Sequence, residues 1–168
     1  MTAATPAPAP WLSAEAISTA NRILHSHALA FAVPLIAPLP GDATPEQWAQ
    51  ALFAAERVVL AHDGANPADD PGPRLIYANR AALRLWQRNW FELVGMPSRL
   101  TAEPGARQER AQALLRVQSQ EAIANYGGIR IDSQGRRFRI DGAKVFSLCN
   151  AAGEPCGQAA CFSRWYWI

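Results

Sequence analysis

Residues 126–165, YGGIRIDSQGRRFRIDGAKVFSLCNAAGEPCGQAACFSRW, read as three antiparallel strands joined by two turns. Ile129 and Ile131 alternate with Arg130 and Asp132, and Phe138 and Ile140 alternate with Arg137 and Arg139. An alternation of period two puts one face on a core and the other in water. Between the two runs lies Ser133-Gln134-Gly135-Arg136, where glycine supplies the positive φ that a tight hairpin needs. Asp141-Gly142 is a candidate bulge. Lys144 to Cys149 forms the next strand, Asn150 to Pro155 the second turn, and Gly157 to Trp165 the last strand. Its small residues, Gly157, Ala159, Ala160 and Cys161, imply that a helix backbone or a ligand packs close against it.

Working outward from this sheet, a helix begins between Thr101 and Ala106 and runs to Gln120. Ala111, Leu114, Leu115 and Val117 are its apolar positions, and Arg107 and Arg110 are assigned to its solvated face. Further upstream, Arg74 to Ala78 is a strand, and Asn79 caps a short helix carrying Ala82, Leu85 and Trp86. Trp90 to Val94 adds a helical turn closed by Gly95. Val58 to Ala61 is another strand, ended by His62-Asp63-Gly64. Asp63, Asp69 and Asp70 lack the D-x-D-x-D-G order of a calcium loop and are assigned to a solvated loop.

The first half is helical. Thr44-Pro45-Glu46-Gln47 is a capping box with proline at the first helical position. Ser13 caps a longer helix whose Ile17, Ala20, Leu24, Ala28 and Phe31 form one stripe. His25 and His27 are two residues apart, do not share a face and are expected at the surface or an interface. The alternating Ala and Pro before Trp11 can form neither helix nor ladder. The division predicted is a flexible tail over 1–12, a helical segment over 13–56 and a sheet domain over 57–168, with 13–168 as one folded unit. The class is α+β: a five-stranded antiparallel sheet with short helices over one face, preceded by N-terminal helices.

Composition excludes several functions. With 49% apolar and 18% charged residues the chain is not disordered, and a net charge of +2 does not point to nucleic acid. No run approaches the roughly 18 apolar residues of a membrane span. The N-terminus lacks a basic, then apolar, secretion signal. Three cysteines, Cys149, Cys156 and Cys161, fit small strand residues in a reducing compartment better than disulfides or a zinc site. We therefore expect a cytoplasmic protein without a metal. No Gly-x-Ser-x-Gly elbow, phosphate loop or His-Glu-x-x-His is present, so no catalytic residues are assigned.

Tyr77-Ala78-Asn79-Arg80-Ala81-Ala82-Leu83 resembles the strand–Asn–helix signature of PAS domains, and Trp90 to Gly95 resembles their next short helix. More narrowly, the chain resembles MEKHLA-domain proteins, a PAS-like family of bacteria and of plant homeodomain–leucine-zipper regulators. The matching pieces are Tyr77–Leu83, Met96–Thr101, Tyr126–Ile131, Gly135–Ile140 and Gly157–Ala160, in order over residues 14 to 165. The resemblance implies a sensory or regulatory binding module and names no cofactor. Covalent flavin chemistry is not expected, because Met96-Pro97-Ser98-Arg99-Leu100 stands where flavin photosensors carry their cysteine motif. Haem is not expected, because the helix up to Gln120 has no histidine.

Two functions compete. In one, a small anionic molecule binds between sheet and helices, with Tyr77, Asn79, Ser98, Arg99, Tyr126, Arg130 and Gln158 as candidate ligand residues. A guanidinium fork suits a carboxylate or phosphate, unless these arginines pair with Glu103, Glu109 or Asp132 instead. In the other, the chain is a ligand-free interaction module, homodimeric through the N-terminal helix, with Trp11 and the final Trp165-Tyr166-Trp167-Ile168 as exposed aromatics. Neither involves a nucleic acid or a membrane.

Overall fold

Every strand pairing in the sheet is antiparallel, as the hairpin alternation predicts. The computed structural model describes residues 4–168. In chain order the elements are α1 (Ala14–Phe31), α2 (Pro45–Ala54), β1 (Val58–Asp63), β2 (Leu75–Ala78), α3 (Arg80–Trp86) and α4 (Trp90–Leu93). They continue with α5 (Arg107–Gln120), β3 (Ala122–Ile131), β4 (Arg137–Cys149), β5 (Pro155–Phe162) and β6 (Arg164–Trp167). The strand order is β2-β1-β5-β4-β3, with β6 also on β4.

The sixth strand is the tail of the expected fifth. Lys144 lies opposite Cys161, and Asp141 opposite Arg164, so β5 and β6 follow one register along one side of β4. The break falls beside Gly142, whose φ of 66° only glycine adopts freely. On the other side of β4, Tyr126 faces Ala143 and Gly128 faces Ile140, so the bulge sits on β4. It resets the alternation, and Phe138 and Ile140 share a cluster with Ala143. Strand β3 also begins earlier than expected. Ala122 pairs with Phe146 although residues 122–125 show no alternation, because β4 offers them a free edge.

Both faces of the sheet are covered. Helix α1 packs on β4 and β2 and also contacts α2. Its Ala20 and Ile23 share one core with Leu52, Val59, Tyr77, Phe146 and Leu148, so the segment before residue 57 and the sheet form one core. Helices α3 and α5 lie on the opposite face, where Val58, Phe138, Ile140 and Phe162 pack with Trp86. Caps behave as the sequence predicts. Ser13 Oγ accepts from the Ala16 N–H, Thr44 and Gln47 form the capping box, and Asn79 Oδ1 accepts from the Ala82 N–H.

Two expectations are corrected here. His27 is fully buried rather than at a surface, because the buried stripe of α1 runs Ala16, Thr19, Ala20, Ile23, Ser26, His27. Part of that face is polar, and Ser26 Oγ accepts from the Cys149 N–H. The tail read over 1–12 is not free along its whole length. Pro10–Leu12 form a 3-10 turn, and Trp11 stacks on Phe53 with ring centroids 3.9 Å apart. Residues 1–3 lie outside the described residues. No helix among the described residues is long and apolar enough to cross a membrane.

Candidate functional site

Between the central strands and α5 lies a cavity of about 60 Å³. A water needs about 10–15 Å³ by this measure, so the space suits a few waters or one small molecule. Its walls are largely apolar: Leu60 from β1, Leu75 from β2, Ile140 and Val145 from β4, Phe162 from β5 and Leu114 from α5. Into it come the polar side chains of His62, Arg110, Tyr126, Arg130 and Gln158, and Thr101 also lines it with its hydroxyl donated to the Ser98 carbonyl.

Alternation puts three of them there. Val58, Leu60 and His62 share one face of β1, while Val59 and Ala61 face α1. On β5, Gln158, Ala160 and Phe162 face the cavity, while Ala159 and Cys161 join the α1 core. Arg130 takes its place on β3 because Gly128 leaves room. A Cβ at Gly128 would meet Arg130 Nη1 at 2.9 Å and the Tyr126 hydroxyl at 3.2 Å.

The arginines define the electrostatics. Arg110 is 8% exposed and Arg130 6% exposed. Arg110 Nη2 donates to Ser98 Oγ at 2.9 Å. Arg130 donates to the Ile129 carbonyl at 2.9 Å and to the Tyr126 hydroxyl at 3.0 Å. Neither forms a salt bridge among the described residues, and no Asp or Glu lines the cavity. Two of the three carboxylates offered by the sequence are engaged elsewhere, and the third, Glu109, is exposed and does not line the cavity. Asp132 binds Arg136 at 3.0 Å and Glu103 binds Arg137 at 2.8 Å. Burial, with the charge of Arg130, pushes Arg110 down to about 9, so it remains a cation at neutral pH. Two buried cations without a counter-ion are costly for a fold to keep.

His62 and Gln158 add the opposite polarity. His62 Nδ1 lies 2.8 Å from the Asp63 carbonyl, and since a carbonyl only accepts, Nδ1 carries the proton. Burial pushes the ring down to about 4, and Arg110 pushes the same way, so Nε2 is a bare acceptor at neutral pH. Gln158 Nε2 donates to the Leu114 carbonyl at 2.9 Å, turning its Oε1 away from that bond. Neither His62 Nε2 nor Gln158 Oε1 has a hydrogen-bond partner among the described residues.

Of the seven predicted ligand residues, Tyr126, Arg130 and Gln158 line this cavity, and Ser98 stands behind it as the partner of Arg110. Three lie elsewhere. Tyr77 is on the far face of the sheet, in the α1 core, against Trp90. Asn79 is buried as a brace, accepting from Val59 and Ala82 and donating to the Arg57 carbonyl at 2.7 Å. Arg99 is on the surface, 2.6 Å from Asp70. Sequence reasoning missed His62 and Arg110. Arg110 sits on the buried stripe Arg110, Ala113, Leu114, Val117, at spacings of three, one and three. That spacing was visible, and an arginine inside an apolar stripe is the signal it carried.

The profile of the MEKHLA domain matches residues 17–167. No curated protein matches the chain. Among solved structures, the PAS domain of a protein from Colwellia psychrerythraea is similar, at 14% identity and a TM-score of 0.58, over 73% of this chain and 95% of that one. A light-oxygen-voltage domain studied with a flavin analogue is similar at 15% identity and a TM-score of 0.54, over 71% and 83%. An RNA-binding light-oxygen-voltage receptor is similar at 18% identity and a TM-score of 0.59, over 76% of this chain but 36% of its own. These likenesses establish a PAS-like fold.

Proposed function

This chain belongs to the MEKHLA domain family, and from that premise we propose that it is a sensory or regulatory module holding a small anion between the sheet and α5. The supporting observation is the pair Arg110 and Arg130, buried beside one cavity with no carboxylate partner among the described residues. A bound anion supplies the missing charge and turns two desolvation costs into charge-assisted hydrogen bonds. The Tyr126 hydroxyl, already an acceptor for Arg130, keeps its own proton to donate. The cavity is small against the roughly 300–1,000 Å³ of drug-sized sites, which favours a compact occupant over a flavin or haem. The role is binding rather than turnover, in the cytoplasm.

Thermal unfolding of the full chain with inorganic phosphate, acetate, propionate and lactate tests this. At a hundredfold excess over Kd, a binding anion stabilises by about 2.7 kcal/mol. Arg110→Met and Arg130→Met should each abolish that gain. If no small anion raises the melting temperature, the reading fails.

A second proposal is homodimerisation through α1. The inner face of that helix is spent on the sheet, so a dimer would use its outer end, where Leu29 and Val33 are exposed. Sedimentation decides: a dimer broken by Leu29→Asp supports it, and a monomeric parent chain ends it.

A further inference from the structure

His62 and Gln158 say more about the occupant than the arginines do. The two residues are directly opposite each other on β1 and β5, so their side chains stand side by side on the cavity face. Each has its donor committed to main chain, His62 Nδ1 to the Asp63 carbonyl and Gln158 Nε2 to the Leu114 carbonyl. Each therefore presents an acceptor, His62 Nε2 and Gln158 Oε1, without a partner among the described residues. A buried acceptor calls for a donor. The same cavity thus offers cations and donors from Arg110, Arg130 and Tyr126, and bare acceptors from β1 and β5.

We infer that the occupant is a short 2-hydroxycarboxylate, its carboxylate held by Arg110 and Arg130 and its hydroxyl donated to His62 Nε2 or Gln158 Oε1. The inference rests on the anion reading of the same cavity. An ammonium in place of the hydroxyl is excluded by charge. It would stand near two guanidiniums with no Asp or Glu on the cavity wall to offset the repulsion. A second carboxylate at that end is excluded by polarity, since its lone pairs would face two acceptors. The rest of the wall, with Leu60, Val145 and Phe162, accepts a short aliphatic remainder. The cavity of about 60 Å³ leaves no space for a long one.

The test is a matched series on one three-carbon skeleton, with propionate, lactate and alanine titrated into the full chain by calorimetry, and inorganic phosphate beside them. Lactate should bind about tenfold or more tighter than propionate, and alanine more weakly than either. His62→Phe should reduce the ratio of lactate affinity to propionate affinity. On the unaltered chain, the Nε2 resonance of His62 in a ring-nitrogen correlation spectrum should move with lactate and stay with propionate. That second readout stands if the variant does not fold. Propionate binding as tightly as lactate, or alanine binding more tightly, overturns the inference and leaves the anion reading intact. So does phosphate binding alone. If none of the four binds, the anion reading itself falls, and the inference with it.

Discussion

The two faces of the sheet bury the same kinds of group to different ends. On the α1 face, His27 and Tyr77 each leave one polar atom without a partner, as His62 and Gln158 do on the α5 face. Yet His27 is enclosed by Phe31 and Phe146, at ring centroids 5.1 and 5.4 Å, and Tyr77 meets Trp90 edge-on at 5.7 Å. The buried arginines among the described residues, Arg110 and Arg130, both line the cavity on the other face. The α5 face adds a cavity and two unpaired guanidiniums. An unpartnered atom in tight aromatic packing is a tolerated cost, whereas the same atom beside space and uncompensated charge is the ground on which the anion proposal rests.

Four experiments break or sharpen this contrast. The largest effect is expected on the packed face. Phe146→Ala should cost about 3–5 kcal/mol in urea unfolding, because Phe146 is fully buried against α1. A loss below about 1 kcal/mol would mean that this face is no better packed than the other.

Next comes acid. The folded His62 ring charges at about 4 and the unfolded ring at 6.5, so the unfolded chain binds more protons between those values. Stability from this group is complete above pH 6.5 and is lost as pH falls to about 4. The full loss is about 3 kcal/mol. Burial lowers His27 as well, in the same direction, so His62→Phe should flatten only part of the slope in unfolding measured from pH 7 down to 4. An unchanged slope would place His62 in a wetter site than its surroundings suggest.

Arg110→Met should go the other way, raising the stability of the ligand-free protein by about 2 kcal/mol while removing its response to anions. Destabilisation with the anion response retained would show that Arg110 serves the fold. The smallest effect belongs to Gly128→Ala. The added Cβ displaces the flexible end of Arg130 rather than backbone, so stability should change by less than about 1 kcal/mol while anion affinity falls. Unchanged affinity would remove Arg130 from the site.

Much of the fold could be read along the chain. The alternation over 129–140, the cap at Asn79 and the box at Thr44 are local signals, and each element they announce is present. The site was legible in part. Tyr126, Arg130 and Gln158, which line the cavity, sit among sheet residues whose pattern is plain. Tyr77 and Asn79 were placed near the cavity by their strand–helix signature. A signature names a turn, however, and not the side of the sheet on which a ring lies. Arg110 reads as part of a solvated face beside Arg107, Glu103 and Glu109, although its spacing from Ala113 and Leu114 puts it on the buried stripe.

What the sequence alone determined is the succession of helices and hairpins, since period, caps and turn residues act within a few positions of one another. What only the tertiary structure decided is which charges are left over. Asp132 pairs with Arg136 and Glu103 with Arg137, the second across 34 residues. Arg110 and Arg130 are left without a carboxylate among the described residues. Charge pairing depends on distances across elements, and those exist only once α5, β3 and the hairpin turn are packed together.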